Sequence, residues 1–412
     1  MRIAILGAGF TGLSAAYHLL KKGHELIIFE KENAVGGLAV GFGMLGWKWT
    51  IEKGYHHWFT NDDSILKLAA EIHHKVITTK PSTDVLIDGQ RIPLDTPLSL
   101  LTFSPLPFID RLRMGLVLGY LKLSGDQEKF KSTTALSWIK KWMGRKATNL
   151  IWEPLLNGKF DEFKDKIALS WFWARIKKRT SSLVYPEGGF QKFADNLSQK
   201  IKKLGGEIHL NSTISNISSL KIKFNKIIVT LPSPIFTKLT PDLPAEYSKK
   251  INSIQHLHAQ VLILVLKKPF MDKTYWLNIT DKSFPFLVLA EHTNFMDKKY
   301  YGNQHILYIG NYLPPNHPYL KMDTKQLLKI FDPYLKKINP IYHLSLITYH
   351  LFIGPFAQPV VTVDYPKLKP DFKTPLKNIY LANLDMVYPW DRGTNYAVEL
   401  GEKVAKIVNS NK

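Results

Sequence analysis

None of the 412 residues is a cysteine. That absence excludes disulfides, thiolate metal sites and a cysteine nucleophile. It fits a reducing, cytoplasmic compartment. No apolar run reaches the roughly 18 residues that a helix needs to span a bilayer. The chain also lacks a G-x-S-x-G elbow, a P-loop lysine motif and an H-E-x-x-H pair, so the hydrolase, NTPase and zincin chemistries have no anchor. Acidic residues are scarce: 34 Asp and Glu face 55 Lys and Arg, a formal charge of +21. Such a balance favours anionic partners, namely nucleic acid, phosphorylated small molecules or the anionic face of a membrane. It can equally reflect lysine-rich composition. The basic residues are scattered lysines, as in LKKINP and LKKPF, without an arginine-rich stripe. Nucleic acid is therefore not expected as a partner. Internal repeats and low-complexity segments are absent as well.

What is present describes a packed globular protein, 45% hydrophobic and 12% aromatic. The length predicts two intertwined domains rather than one core. The opening, MRIAILGAGFTGLSAAYHLLKKG, superficially resembles a signal peptide, but its glycine spacing and the strand that follows argue against one. RIAIL, 2–6, reads as a buried parallel strand. Residues 11–22 carry apolar positions at helical spacing, and ELIIF, 25–29, is a second strand, giving a βαβ unit. A stretch from about 60 to 190 is rich in tryptophan and helical periodicity. A short αβ unit returns at 190–214, and KIIVTLP, 226–232, is another buried strand. AQVLILVL, 259–266, and QHILYIG, 304–310, predict strands of a larger, mostly antiparallel sheet. NIYLAN, 378–383, then a loop, then TNYAVELGEKVAKIV close the chain as strand, loop and helix.

The most informative motif is GAGFTG, Gly7 to Gly12, placed directly after a strand and opening a helix. Gly7 permits the tight turn, Gly9 lets backbone approach a pyrophosphate at the helix N-terminus, and Gly12 lets helix and strand pack closely. Phe10 and Thr11 fill the motif between them. Glu30 ends the second strand where a carboxylate can bind a ribose hydroxyl. This is a dinucleotide-binding expectation with its full context.

Beyond that acid the sequence continues EKENAVGGLAVGF, from Glu30 and Lys31 to Gly36 and Gly37. This long form resembles the FAD fingerprint of the family that contains amine oxidases, protoporphyrinogen oxidases, carotenoid desaturases and UDP-galactopyranose mutases. Many members carry an arginine after the double glycine, where this chain has Leu38. The tail YLANLDMVYPWDRGTNYAVELGEKVAK, 380–406, resembles the family's returning strand, acidic turn and flavin-facing helix. The resemblance implies that Thr394, Asn395 and Tyr396 present backbone N–H groups to the flavin. The usual Gly-Asp pair is here Asn383-Leu384, with the acid displaced to Asp385. The flavin-side tyrosine of monoamine oxidases would fall at Gly393 and is absent. Without cysteine, the thioether tether is excluded too, so the FAD is expected to bind non-covalently. Ile214 and Leu231, after the third and fourth expected strands, complete the implied cofactor contacts.

The stretch 152–197 resembles the substrate segment of protoporphyrinogen-oxidase-like and desaturase-like oxidoreductases. YPEGG, Tyr185 to Gly189, resembles the loop that returns toward the flavin. Lys159, Arg175 and Arg179 are candidates to meet an anionic substrate group, and Tyr185 is a candidate substrate contact; each charge has the alternative of a solvated surface position. Trp152, Trp171 and Trp173 are core or substrate wall. Residues 99–123 mix apolar side chains with Asp110, Arg111 and Arg113. They read either as a surface resting at a membrane interface or shaping a lipophilic tunnel, or as a helix buried between domains.

Two histidine pairs remain. His73 and His74 lie on a helical pattern, half solvent and half packing. His56 and His57, in GYHHW, follow the fingerprint where the family's chain passes the isoalloxazine ring, with Gly54 and Tyr55 before them. Adjacent residues of an extended loop point to opposite sides, so the pair is no metal site. His56 is the candidate base on its titration range, and Asp391 and Arg392 are the tail residues expected to face substrate, Arg392 as a second catalytic candidate.

The expected fold is α/β: a discontinuous Rossmann-type FAD domain from 1–75, 190–240 and 365–412, with an inserted α+β substrate domain, mixed sheet plus helices, from 76–189 and 241–364. The expected activity is hydride transfer from a lipophilic or anionic small-molecule substrate to flavin N5. The alternatives are a mutase-like isomerase, since GYHHWFTND resembles the mutase histidine loop, and an FAD-containing scaffold. A cytoplasmic location, with peripheral contact on the inner face of the membrane, completes the expectation. No metal is expected.

Overall fold

The computed structural model describes residues 1–125, 128–221 and 223–410. The chain is an α/β protein built on two main sheets. In the first, five strands run parallel in the order Glu207–His209, Glu25–Phe29, Arg2–Leu6, Lys226–Val229 and Ile379–Leu381. Arg2–Leu6 is central, with Ile5 opposite Ile28 on one side and Ile228 on the other. Its uninterrupted apolar run is what a strand covered on both faces requires. Helix Phe10–Leu20 covers this sheet, flanked by helices Phe190–Lys203 and Thr394–Ser410. Phe10 stacks on Phe193 at 5.6 Å. Gly401 lets the last helix cross the first: a Cβ there would lie 2.5 Å from the Thr11 carbonyl oxygen.

The second sheet has seven strands, in the order Leu346–Pro359, His256–Leu266, His305–Leu313, Val288–Glu291, Thr274–Ile279, Ser82–Ile87 and Gln90–Pro93. All its pairings are antiparallel except Thr274–Ile279 with Ser82–Ile87, so the sheet is mixed. Period-two alternation along His256–Leu266 separates two cores. Val261 and Ile263 pack toward the first sheet, while Leu262, Leu264 and Leu266 pack under helix Thr324–Ile338. That helix starts with a capping box between Asp323 and Gln326. The strands of the first sheet all fall within residues 1–75, 190–240 and 365–412, and those of the second within 76–189 and 241–364.

Three local expectations change. The region after residue 75 does not begin as helix: strands Val76–Thr79, Ser82–Ile87 and Gln90–Pro93 come first, the last two joined at Asp88 and Gly89, both in left-handed backbone. His73 and His74 are not helical. The helix ends at Glu71, His73 adopts a φ of 56°, and His74 is buried with Nε2 3.1 Å from the Glu187 carbonyl oxygen. Helix Phe108–Leu123 is not sandwiched between domains; it turns most of its large apolar side chains to solvent. Among the described residues no helix is long and apolar enough to cross a membrane.

Candidate functional site

The cradle for a dinucleotide forms where strand Arg2–Leu6 passes into helix Phe10–Leu20. Gly7 sits at a φ of 103°, and a Cβ there would fall 2.6 Å from Thr230 Oγ1 and 3.1 Å from the Leu231 side chain. A Cβ on Gly12 would fall 2.0 Å from the Gly7 carbonyl oxygen, so the helix can begin against the strand only with glycine there. Gly9 differs: a Cβ on it would meet only the Gly37 Cα, at 3.8 Å. Its outward side is open to a ligand. The helix has no side-chain N-cap and no acid in its first turn, so its leading N–H groups are left for an anion. Gly36 donates to the Ala8 carbonyl at 2.9 Å, which lays the Gly36–Gly37 turn over Gly9. Glu30 accepts from the Ala8 N–H at 2.7 Å and the Glu32 N–H at 3.0 Å, fixing its carboxylate at the cradle rim. These residues fit an adenine dinucleotide.

Not every expected contact offers a side chain. Phe10 and Thr11 are buried, so their backbone alone is available. Lys31 is exposed and pairs with Glu32. Leu38 is 44% exposed beside Gly354. Leu231 borders Gly7 and accepts from Asn383, and Ile214 packs at the edge of the same apolar cluster. Asp385 is almost wholly buried, its carboxylate accepting from Ser233 and lying 2.6 Å from His256 Nε2. Those oxygens serve the junction of the two sheets.

The His56 loop and the last helix come together. The Trp58 indole N–H donates to Thr394 Oγ1 at 2.7 Å, and the Ile65 N–H donates to Asn395 Oδ1 at 3.0 Å. Tyr396 stacks on Trp390 at 6.0 Å. His56 Nδ1 lies 2.7 Å from the Gly54 carbonyl oxygen, which can only accept, so Nδ1 carries the proton and Nε2 keeps its lone pair. Burial pushes the imidazole down to about 4, and Arg392 adds to that against the pull of the Gly54 carbonyl. His57 points elsewhere, to the Tyr275 hydroxyl at 3.1 Å among the rings of Phe59, Trp276 and Phe295. Burial first, and then Arg179, take it to about 3. Both imidazoles are neutral at pH 7.

Beside this loop lies a group of cations. Lys159 comes from helix Glu153–Phe160, Arg175 from helix Leu169–Lys178, and Asp391 with Arg392 from the loop before the last helix. The Lys159 ammonium rests on the rings of Trp171 at 5.0 Å and Tyr312 at 5.1 Å. Arg175 stacks over Trp171 at 5.1 Å, one turn away on the same helix face. Arg392 lies over Tyr312 at 4.8 Å and donates from Nε to Gln358 at 3.1 Å. Asp391 accepts from Arg175 and from the Trp171 indole, with Lys159 3.5 Å away. Burial works to raise the Asp391 carboxyl, but Lys159 and Arg175 outweigh it and hold it at about 2. Burial drives the Lys159 ammonium well below its usual range, opposed by Asp391. Tyr55 joins the loop to this group, its hydroxyl 3.4 Å from that of Tyr312.

Tyr185 is not brought to these cations. It is fully buried, its hydroxyl donated to Glu52, with His292 and Phe295 as ring neighbours. Sequence reading missed Tyr312, Gln358, Trp58 and Gly310. Only Gly310 leaves a signal, a glycine inside a strand: a Cβ there would lie 2.4 Å from the Tyr55 ring. Among the described residues no cluster of three or more His, Asp or Glu could hold a metal ion.

The flavin containing amine oxidoreductase family matches residues 10–409. The 4,4'-diapophytoene desaturase (4,4'-diaponeurosporene-forming) of Staphylococcus aureus is 60% identical over 37 residues, 9% of this chain and only 7% of that protein's length. Reduced UDP-galactopyranose mutase superposes with a TM-score of 0.78 at 16% identity, covering 100% of this chain and 96% of its own. A putative protoporphyrinogen oxidase from Exiguobacterium sp. 255-15 gives 0.76 at 15% identity, covering 100% and 99%. At these identities the two structures speak for the fold.

Proposed function

This chain belongs to the flavin containing amine oxidoreductase family, and on that premise we propose that it binds FAD non-covalently and oxidises an organic substrate carrying an anionic group on a lipophilic body. The observation that carries the substrate class is the gathering of three basic side chains around one carboxylate: Lys159 and Arg175 pair with Asp391, while Arg392 lies over the neighbouring Tyr312 ring and donates to Gln358. Three basic side chains against one acid, Lys159 buried and Arg175 open to solvent, leave an excess of positive charge that an anion entering from the solvent side completes. Trp171 and Tyr312, already stacked with these cations, give the apolar body a wall. FAD, when bound, would supply the two-electron acceptor for a hydride from the substrate, and the accompanying proton is left to the residues of the chain.

The residues of the chain do the rest. Gly7, Gly9, Gly12 and the uncapped first helix would hold the pyrophosphate, and Glu30 would hold the ribose. Thr394 and Asn395, bonded to Trp58 and Ile65, fix the start of the last helix against the His56 loop, and its leading N–H groups would favour negative charge on a flavin held there. His56, neutral at pH 7 with Nδ1 occupied, keeps Nε2 as a proton acceptor, and Arg392 beside it draws the substrate anion.

The test is an anaerobic screen of the FAD-loaded protein with isoprenoid acids and phosphates, porphyrinogens and nucleotide sugars, following the flavin absorbance. Bleaching by an anionic, apolar compound, with KM raised at least about tenfold by Arg175→Ala or Arg392→Ala, supports the proposal. Turnover that requires prior reduction and transfers no net electrons replaces it with an isomerase. Bleaching by neutral compounds with both variants unaffected removes the anion from it.

A further inference from the structure

Helix Phe108–Leu123 presents its apolar stripe the wrong way for a core. Phe108, Ile109, Leu112, Leu116, Tyr120 and Leu123 all face outward, Ile109 and Leu116 at 77% exposure and Leu123 at 83%. At 3.6 residues per turn these six fall within an arc of about 120° along a helix about 24 Å long. An amphipathic helix of a water-surrounded protein buries that arc; here the inner face holds only Met114 and Leu121 as buried residues. Leu101 and Trp142 extend the exposed apolar surface from neighbouring elements. Arg111 donates to the Leu101 carbonyl, and Arg113 donates to the Trp142 and Lys141 carbonyls at 2.6 Å, so both elements abut the helix.

The charge around the patch selects its partner. Residues 97–146 hold nine Lys and Arg against three Asp and Glu. Lys140, Lys141, Arg145 and Lys146 are exposed beside Trp142. A second copy seated on this face would set one basic rim against another. An anionic lipid surface satisfies both halves, apolar side chains entering the acyl boundary and lysines meeting headgroups. Tyr120 and Trp142 supply the amphipathic rings that favour such a boundary.

We infer that helix Phe108–Leu123 and the basic turn 140–146 form a monotopic docking surface for an anionic lipid bilayer. This inference does not depend on the substrate proposal.

Sedimentation of the FAD-loaded protein with phosphatidylcholine vesicles, with and without phosphatidylglycerol, tests it. Binding is expected to the anionic vesicles, falling with added salt. Ile109→Glu and Leu116→Glu, exposed and therefore tolerated by the fold, are expected to weaken it at least tenfold with flavin content and melting unchanged. Because the chain lacks cysteine, Leu116→Cys carrying an environment-sensitive fluorophore reports the same insertion as a blue shift without a disruptive charge. No binding by the unaltered protein overturns the inference, as does binding that neither glutamate weakens or a fluorophore that stays in water. A dimer that Leu116→Glu converts to monomer, without vesicle binding, overturns it in favour of self-assembly.

Discussion

Asp391→Asn is the sharpest perturbation of the cationic group. It keeps the side chain's size and one acceptor for the Trp171 indole while removing the carboxylate that Lys159 and Arg175 share. The native carboxyl is held at about 2 against an ordinary 3.8. A depression of that size corresponds to about 2 kcal/mol of stability. Severing a buried pair commonly costs about 3–5 kcal/mol, but Arg175, which shares this carboxylate, is 40% exposed and keeps its hydration when the carboxylate is lost. The smaller figure is therefore expected. Because the folded carboxyl is the stronger acid, its contribution is complete above the ordinary value and is lost as pH falls through about 2. The gap between native protein and variant should thus be about 2 kcal/mol at pH 7 and shrink by roughly half by pH 3. Urea denaturation of both proteins across that range measures it.

The same substitution separates an anion site from a structural ion pair. Neutralising Asp391 makes the group more positive, so inorganic pyrophosphate added to the FAD-loaded protein should stabilise the variant more than the native chain. Equal stability at pH 7, or a deficit that persists unchanged on acidification, refutes the electrostatic account. An unchanged response to pyrophosphate refutes the anion site.

Four further substitutions probe the supports around the site and one helix away from it. Gly401→Ala places a Cβ 2.5 Å from the Thr11 carbonyl and 2.6 Å from Ser14 Cβ, and should cost about 3 kcal/mol or more in thermal and urea unfolding, whereas Gly119→Ala, in open space within a helix, should gain up to about 1 kcal/mol. Trp58→Phe removes the donor to Thr394 and should cost about 1–3 kcal/mol, with faster flavin loss seen as rising fluorescence of released FAD; an unchanged loss rate separates that bond from cofactor retention. Glu52 is wholly buried, and desolvation raises its carboxyl to about 7 despite donors from Phe190 and Tyr185. Its folded acidity is weaker than in the unfolded chain, so stability is greatest below about 4.5 and falls by about 3 kcal/mol as pH rises through 7; Glu52→Gln should flatten that profile and exceed the native protein at pH 8.

How much of this was legible depended on whether a residue answers to its neighbours in sequence or in space. Gly7, Gly12 and Glu30 are constrained by a turn, a helix start and a strand end, all within one βαβ unit, so spacing announces them. The strand was legible at 259–266 because an apolar run that long has few other homes, while its first residues, His256 to His258, lie outside that run. The first two strands after residue 75 were not, since their partners, Leu183–Pro186 and Thr274–Ile279, lie roughly one hundred to two hundred residues away, and the third pairs only with the second of them. Helix periodicity at 108–123 was visible, but periodicity states that a face is apolar and not which way it turns. Tyr185 reads as a loop residue beside two glycines; the carboxylate that buries it comes from Glu52, and nothing local points there.

The cationic group is the extreme case. Lys159, Arg175 and Arg392 each look like ordinary surface charges, because the cost of burying a charge is invisible until its surroundings are assembled. Those surroundings come from two helices, two strands and a loop: Trp171 beside Arg175, Tyr312 and Gln358 from the second sheet, Asp391 from the tail. One carboxylate does not neutralise three basic groups, and burial first, then Arg175 and Arg392, weaken the hold of Lys159 on its proton. A bound anion works against that shift, as Asp391 does, and strengthens the hold of Lys159 on its proton. Proton uptake should therefore accompany anion binding in this group. Isothermal titration of pyrophosphate into the FAD-loaded protein, in buffers of different ionisation enthalpy, should show uptake in the native chain and none in Lys159→Met. A heat independent of buffer would place the anion elsewhere.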